Sequence, residues 1–245
     1  IPIDFIGGTS MGAVLAAQYA LGSDWQTMAQ VNRAEWPRCQ PQKNYTLPLV
    51  AINSGNRMDQ MLARMLGDAT IEDLRTDFFC VSTNLTRAAA KVHRHGSLWK
   101  AVRASVSIPG VGPPAIENGE IFVDGGLVDN LPVGAMKKLC QGQILAVDVS
   151  EQAEFKSMLA HSYSVSGWKL LWQRLNPFTA TPDLPNILNI LYRTTTVAGV
   201  RAIESAKAQA DLCLEPPVRQ FGVFEWHRVD EIIEAGYYYA LKKLE

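Results

Sequence analysis

Hydrophobic positions along the chain fall into two spacings, one typical of buried β-strands and one typical of helices. Short apolar runs predict strands at 1–6, 78–83, 90–93, 120–123, 143–149 and 212–214. Apolar residues three and four positions apart, together with capping residues, predict helices at 11–21, 24–35, 58–66, 98–107, 132–139, 185–210 and 230–244. This alternation favours an α/β fold, a three-layer α/β/α sandwich with a largely parallel central sheet.

Proline and glycine set the expected boundaries of these elements. Pro37 is expected to stop the second helix before Trp36, and Gly67 is expected to end the third. The segment 108–114 holds three prolines and two glycines, so it is predicted to be a loop. The run at 143–149 is the clearest candidate for a buried strand.

Two amphipathic segments each allow two interpretations. Met58, Met61 and Met65 form an apolar stripe at helical spacing, which suits either a hydrophobic core or a flexible, apolar ligand-binding surface. Trp168 and Trp172 share one face of a predicted helix that has basic residues on its other side. That helix is predicted either to pack on the domain or to lie at a membrane interface, where tryptophan with basic neighbours is common.

The length and charge of the chain narrow the range of functions that it could have. The chain has 245 residues, 47% of them hydrophobic and 19% charged, which predicts a single domain over 1–245. The net charge of −1 and the lack of any Lys/Arg-rich run argue against a nucleic-acid partner. No apolar run reaches the length of a membrane-spanning helix. Because Ile1 opens inside a predicted strand, we expect the chain to be part of a longer polypeptide.

The four cysteines predict neither a metal site nor a disulfide framework. They are Cys39, Cys80, Cys140 and Cys213, which are far apart in the sequence and include no CxxC pair. We therefore expect reduced and mostly buried thiols and no bound metal.

A serine flanked by glycines lies between the first predicted strand and the first helix. The stretch Gly8-Thr9-Ser10-Met11-Gly12 has the pattern of a nucleophile elbow, a sharp turn that exposes a reactive serine. Positions 8 and 12 are expected to need a residue as small as glycine, because larger side chains there would collide in so tight a bend. The helix that follows directs its positive end at Ser10, so the Met11 N–H is the expected oxyanion donor. The alternative is that the stretch is only a tight connection.

A serine nucleophile needs a base, and an aspartate is the better candidate here. None of the four histidines follows a final sheet strand, and His93 and His95 are expected at the surface. Asp124 follows the predicted strand at 120–123 and precedes Gly125 and Gly126, which leave its carboxylate uncrowded. In a partly desolvated pocket this carboxylate would accept the serine proton. The alternative is that Asp-Gly-Gly is merely a turn.

Taken together, these stretches resemble the patatin-like phospholipases. The elbow at 8–12 and the Asp-Gly-Gly at 124–126 are similar, in order and separation, to the serine/aspartate dyad of that family. Further stretches resemble the branch that contains neuropathy target esterase and its bacterial relatives: 81–86, 95–99, 102–105, 113–114, 129–132 and 166–177. The resemblance covers nearly the whole chain.

The resemblance implies a serine hydrolase that cleaves acyl esters of phospholipids and lysophospholipids through an acyl-enzyme, without a metal or organic cofactor. Ser10 would attack the ester carbonyl and Asp124 would take its proton. The protein would work on the cytoplasmic side of a membrane, bound peripherally or anchored through segments outside this chain.

One departure from the family pattern leaves other functions open. The glycine-rich oxyanion loop of the family, with the strand before it, lies upstream of the nucleophile, and this sequence begins too late to contain either. Losing one oxyanion donor typically slows turnover about 100- to 1,000-fold. The alternatives are therefore a non-enzymatic lipid-binding or scaffold module, and an acyltransferase or thioesterase that uses the same dyad.

Overall fold

The computed structural model describes residues 2–39, 44–150, 166, 167, 172, 190, 193, 200–222 and 225–245. Its strands are β1 Phe5–Thr9, β2 Asp77–Asn84, β3 Ala89–His93, β4 Ala115–Glu117, β5 Glu120–Asp124, β6 Leu145–Val147 and β7 Leu212–Leu214. Its α-helices are α1 Met11–Ala20, α2 Trp25–Cys39, α3 Asn56–Leu66, α4 Leu98–Ser105, α5 Val133–Leu139, α6 Val200–Lys207 and α7 Val229–Leu244. The predicted α/β class is confirmed.

The main sheet is mixed, so the prediction of a largely parallel sheet was wrong. Strand β2 pairs with β1 in parallel, but the β2–β3, β2–β5 and β4–β5 pairs are antiparallel. Short turns explain the β2–β3 and β4–β5 pairs, because neighbouring strands joined by only a few residues pair antiparallel. In the turn between β4 and β5, Asn118 and Gly119 both have positive φ, which fits the preferred tight hairpin geometry.

Strand β2 brings the ends of β1 and β5 together. Thr9, the last residue of β1, lies opposite Val81, and Asp124, the last residue of β5, lies opposite Ser82. Val81 and Ser82 are consecutive, so the two strands end at neighbouring positions along β2. The residues that follow Thr9 therefore start next to Asp124.

The main core lies between the sheet and helices α1, α3 and α4. It is built from small residues of α1 and larger ones of the other elements: Ala13, Ala17, Ala20, Met61, Leu62, Phe78, Cys80, Leu98 and Val102. Met58 and Met65 pack against it partly buried. The methionine stripe is therefore part of the core, and Gly67, with φ 62°, follows the last residue of α3 as predicted.

A second core surrounds the parallel pair β6–β7. Leu131, Val133, Ile144, Ala146, Ile203 and Ala206 form it. The predicted strand at 143–149 is shorter than expected, and the prediction of full burial was wrong, because Leu145 is 46% and Val147 48% exposed. Successive side chains of a strand point to opposite faces, and only the face that carries Ala146 is covered by this core.

Two predicted helix ends also differ from the structure. Helix α2 continues through Pro37 to Cys39, because buried Trp36 donates its indole N–H to Asn32 Oδ1 at 2.8 Å and keeps the last turn packed. Helix α4 ends at Ser105, two residues early. The predicted helix at 185–210 is described as continuous helix only over α6, and the rest lies mostly outside the described residues. None of the helices in the described ranges is long and apolar enough to cross a membrane.

Candidate active site

Ser10 forms the whole connection between β1 and α1. Strand β1 ends at Thr9 and helix α1 begins at Met11, so one residue reverses the chain. Ser10 has φ 55° and ψ −122°, a conformation that a residue with a side chain rarely adopts. Such strain costs on the order of 1–3 kcal/mol and persists only where the surroundings enforce it. The turn thus presents the half-buried Ser10 side chain at the junction of the strand and the helix.

The two glycines beside Ser10 have different roles. A Cβ on Gly8 would lie 2.4 Å from the Gly12 carbonyl carbon, so only glycine lets the strand pass this close to the helix. A Cβ on Gly12 would meet no atom of the described residues within 4 Å. The predicted steric reason for Gly12 was therefore wrong: Gly12 is exposed on the open side of the first turn of α1.

A buried serine holds the strained turn in place. The Ser105 hydroxyl accepts a hydrogen bond from the Ser10 N–H at 2.9 Å and donates one to the Val81 carbonyl at 2.6 Å. Ser105 is completely buried at the last residue of α4. It therefore ties the elbow to β2. In the sequence, Ser105 stands out only as part of the resembling stretch 102–105, which assigns it no role.

The first N–H groups of α1 point toward the space beside Ser10. Helix geometry gives the N–H groups of Met11 and Gly12 no acceptor within the helix, and the Ser10 side chain does not cap them. The positive end of the helix dipole lies at the same place. An oxyanion that forms on a substrate next to the Ser10 hydroxyl would meet these donors.

Asp124 lies within hydrogen-bonding distance of the serine. The Ser10 hydroxyl donates to Asp124 Oδ2 at 2.6 Å, and the Gly126 N–H donates to Asp124 Oδ1 at 2.8 Å. The backbone is fixed as well, because the Asp124 N–H donates to the Ser107 carbonyl at 2.8 Å and the Thr83 hydroxyl donates to the Asp124 carbonyl at 2.9 Å. Four contacts thus set the position and direction of one carboxylate.

The two glycines after Asp124 let the chain turn under the site. A Cβ on Gly125 would lie 2.2 Å from the Val81 carbonyl oxygen, and one on Gly126 would lie 3.1 Å from Asp124 Oδ1. The residues Gly125–Leu127 form a short 3-10 helix that Asp124 caps with its own side chain. Asp-Gly-Gly is therefore a turn, and one oxygen of its aspartate is free to reach Ser10.

Burial changes the proton affinity of this carboxylate. Asp124 is only 4% exposed, and this burial raises its pKa to about 6, while the hydrogen bonds from Ser10 and Gly126 act in the opposite direction. Among the residues that the structure describes, no cation contributes to the shift. An aspartate with this pKa is ionised at neutral pH, yet it is a stronger base than an ordinary one.

The loop at 108–114 lies beside Asp124, and a buried arginine fixes its conformation. Arg103 contacts Asp59 and the Ser107 hydroxyl, and it donates to the Pro113 carbonyl at 3.3 Å. Ser107 is in turn the residue whose carbonyl accepts the Asp124 N–H. The predicted loop is confirmed, and it is held firmly at both ends.

None of the described histidines is a hydrogen-bond partner of Ser10 or Asp124. His93 is buried and its Nε2 lies 2.7 Å from the Ser82 hydroxyl, so the prediction of a surface position was wrong. Burial lowers the pKa of His93 to about 4, which keeps the ring neutral at physiological pH. His95 is exposed, as predicted, and His227 is exposed too. His161 lies outside the described residues.

The structure tests only part of the tryptophan prediction. Trp172 is helical and 67% exposed, whereas Trp168 lies outside the described residues. Of the four cysteines, all unpaired, Cys39 and Cys80 are buried. In the described part of the chain, no group of three or more His, Cys, Asp or Glu residues is arranged to hold a metal ion.

Sequence comparisons point to one family and one group of relatives. The patatin-like phospholipase family matches residues 1–137, which include Ser10 and Asp124. Lysophospholipase NTE1 of Meyerozyma guilliermondii is 35% identical over 98% of this chain, and patatin-like phospholipase domain-containing protein 6 of Homo sapiens is 34% identical over 98%. Neuropathy target esterase sws of Drosophila melanogaster is 32% identical over the full chain. The chain spans only 17–18% of the length of these relatives.

Proposed function

The chain belongs to the patatin-like phospholipase family, and from that premise we propose that it is a serine hydrolase of lysophospholipid and phospholipid acyl esters. The observation that carries this proposal is the 2.6 Å hydrogen bond from the Ser10 hydroxyl to Asp124 at the strained elbow. A hydroxyl so placed can lose its proton to the carboxylate as it attacks.

In the proposed reaction, Ser10 Oγ attacks the ester carbonyl carbon while its proton passes to Asp124 Oδ2. The carbonyl oxygen becomes an oxyanion, which the N–H groups of Met11 and Gly12 and the positive end of α1 stabilise. The tetrahedral intermediate then collapses, and the leaving glycerol oxygen takes the proton from Asp124. This step leaves the acyl group on Ser10 and restores the carboxylate.

The second half of the reaction repeats these steps with water. Asp124 accepts a proton from the water molecule as it attacks the acyl carbonyl, and the Ser10 oxygen leaves with that proton. The raised pKa of Asp124 suits both directions, because the group must be a base in one step and an acid in the next. The products are a free fatty acid and the remaining glycerophospho compound.

The substrate class is supported by the names of the relatives. Two of the three relatives above carry lysophospholipase or phospholipase in their names, and the third is named an esterase. All three therefore point to ester cleavage, and two of them point to a lipid substrate.

Release of fatty acid from lysophosphatidylcholine tests the proposal. We expect Ser10→Ala to lower the rate by about 1,000-fold or more, because without the hydroxyl no acyl-enzyme forms. Ser97→Ala is the matched control, since the Ser97 side chain makes no capping bond at the start of α4, and it should keep full activity. Hydrolysis that survives Ser10→Ala would exclude Ser10 as the nucleophile.

Two further measurements separate the hydrolase from an acyltransferase and from a non-enzymatic lipid-binding module. Adding a long-chain alcohol shows whether the acyl group passes to an acceptor other than water, as an acyltransferase would require. Lipid binding without turnover in the unaltered protein would indicate a non-enzymatic lipid-binding module instead.

A further inference from the structure

An exposed apolar loop is hydrogen-bonded to the 108–114 loop, which lies beside Asp124. Leu47 is 73% and Leu49 83% exposed, and Tyr45 and Val50 are exposed to 67% and 68%. Leu49 and Leu47 are the most exposed large apolar side chains in the described part of the chain. We call residues 45–50 the apolar tip. A soluble surface rarely carries so many adjacent apolar side chains without a binding role.

The apolar tip is held in a defined shape. Tyr45 and Asn53 form an antiparallel bridge, and the Thr46 N–H donates to the Ile52 carbonyl at 2.9 Å. Below them, the Ser54 N–H donates to the Asn44 carbonyl at 3.1 Å. The segment 44–54 is thus a small hairpin-like projection whose base is hydrogen-bonded and whose tip is bare.

The projection is attached to the wall of the candidate active site. The Ile52 N–H donates to the Gly110 carbonyl at 2.9 Å and the Asn53 N–H donates to the Val111 carbonyl at 3.0 Å. Both carbonyls belong to the loop that follows Ser107, which accepts the hydrogen bond of Asp124. A surface that binds the apolar tip is thereby held at a fixed distance from the dyad.

The charge pattern identifies a lipid surface as the occupant. Residues 44–56 contain no charged side chain, and the nearest charged residues in the sequence are Lys43 on one side and Arg57 on the other. In the sequence, this uncharged segment is flanked by a lysine and an arginine and has a tyrosine near its edge. That composition suits a phospholipid surface, where apolar side chains enter the acyl region, aromatic rings favour the headgroup level and cations attract the phosphates.

We propose that the apolar tip inserts into the surface of a phospholipid membrane, at the depth of the headgroups and upper acyl chains, and holds the candidate active site against that surface. This inference rests on the proposed function, because a lipid-ester hydrolase must reach substrates that stay in a membrane. It assigns docking to residues 45–50, independently of the predicted tryptophan face at Trp168 and Trp172.

Binding to vesicles of pure phosphatidylcholine, and to vesicles that also contain phosphatidylglycerol, tests the proposal. The measurement is made in Ser10→Ala, so that no lipid is consumed. The double variant Leu47→Ser/Leu49→Ser should bind both kinds of vesicle about 30-fold or more weakly, because each leucine loses most of its transfer free energy. The double variant Leu47→Met/Leu49→Met should bind as the parent does.

Two controls keep this test decisive. Trp25 is equally exposed, at 68%, but it begins α2, beyond the end of α1 that is remote from Ser10, so Trp25→Ser should not weaken binding. The thermal midpoint of Leu47→Ser/Leu49→Ser should match that of the parent, because both side chains are in solvent.

The outcomes separate this inference from the proposed function. Equal vesicle binding by the parent and by Leu47→Ser/Leu49→Ser overturns the docking role. The role is also overturned if the parent sediments as a dimer and this variant alone sediments as a monomer, because the apolar tip would then bind a second copy of the chain. Normal docking with no cleavage of lysophosphatidylcholine by the unaltered protein leaves the docking role standing and overturns only the hydrolase.

Discussion

The ends of β5 and β6 each carry a buried aspartate, but the two carboxylates have different partners. Asp124 is 4% and Asp148 is 6% exposed. The partners of Asp124 are neutral, a hydroxyl and a backbone N–H. Asp148 accepts from the Ser150 N–H at 2.9 Å and also forms an ion pair with Lys207 at 2.8 Å. The two carboxylates are both largely shielded from solvent, and they differ in whether a cation is among their partners.

The pKa values of the two aspartates move in opposite directions. Burial raises the pKa of Asp124 to about 6. Burial also acts to raise the pKa of Asp148, but the hydrogen bonds from Lys207 and Ser150 outweigh it and hold that pKa below its usual value. An ion-paired carboxylate is a weak base and serves the fold. A buried carboxylate with neutral partners is a stronger base, available for proton transfer.

The largest expected difference between the two regions is in activity. Asp124→Asn should slow ester hydrolysis by about 1,000-fold, equivalent to about 4 kcal/mol of transition-state stabilisation, because an amide cannot take the proton of Ser10. Asp148→Asn should retain the parent rate per folded molecule. The measurement is initial-rate hydrolysis of a soluble short-chain ester. Equal losses in both variants would mean that the contrast is not functional.

The second expected difference is in stability, and its sign is opposite at the two sites. At pH 8, Asp124→Asn should raise the free energy of unfolding by on the order of 1–3 kcal/mol, because it removes a buried charge whose partners in the described part of the chain are neutral. Asp148→Asn should lower it by about 2 kcal/mol, because it breaks a buried ion pair, although Lys207 keeps Glu215 as a partner at 2.6 Å. Denaturant unfolding measures both changes.

The pH dependence of these changes provides their control. A raised folded-state pKa means that the cost of Asp124 grows as pH rises from about 4 toward 6, so the gain in Asp124→Asn should disappear below pH 4. A lowered folded-state pKa means that the benefit of Asp148 is present above its unfolded value of 3.8 and is lost as the pH falls through the folded value. If the change in unfolding free energy had the same sign and the same pH dependence in both variants, the different roles assigned to Asp124 and Asp148 would be contradicted.

The smallest expected effect concerns the support of the elbow. Ser105→Ala should lower the rate of ester hydrolysis by about 10-fold and stability by about 1–2 kcal/mol, because the Ser10 N–H and the Val81 carbonyl lose their shared partner. Ser105→Thr should recover part of the lost rate, because it keeps the hydroxyl that accepts from the Ser10 N–H. A stability loss with an unchanged rate would reduce Ser105 to a purely structural residue.

The local parts of the site could be predicted because short-range signals encode them. A serine between two glycines after an apolar run requires a sharp turn, and an aspartate before two glycines requires another. The α/β class likewise followed from the spacing of apolar residues. Each of these inferences needed only neighbouring residues, so no knowledge of distant contacts was required.

The missed features depend on contacts between distant residues. Ser105 is 95 positions from Ser10, and nothing near it in the sequence indicates that α4 ends against the elbow. His93 was misplaced because its neighbours are charged, whereas its ring packs edge-on against Phe122 at 5.8 Å between centroids. The alternation of strands and helices predicts a parallel sheet, whereas Asn118-Gly119 is a strong hairpin signal and indicates the antiparallel β4–β5 pair; the β2–β5 pair depends on contacts between distant residues.

Asp124 is the proposed base for Ser10, and the rate at which a fluorophosphonate modifies Ser10 tests that role most directly. The rate should rise with pH, reach half of its maximum near pH 6 as Asp124 loses its proton, and become slow and independent of pH in Asp124→Asn. Modification of Ser10 in Asp124→Asn at the parent rate, with the same pH profile, would contradict the claim.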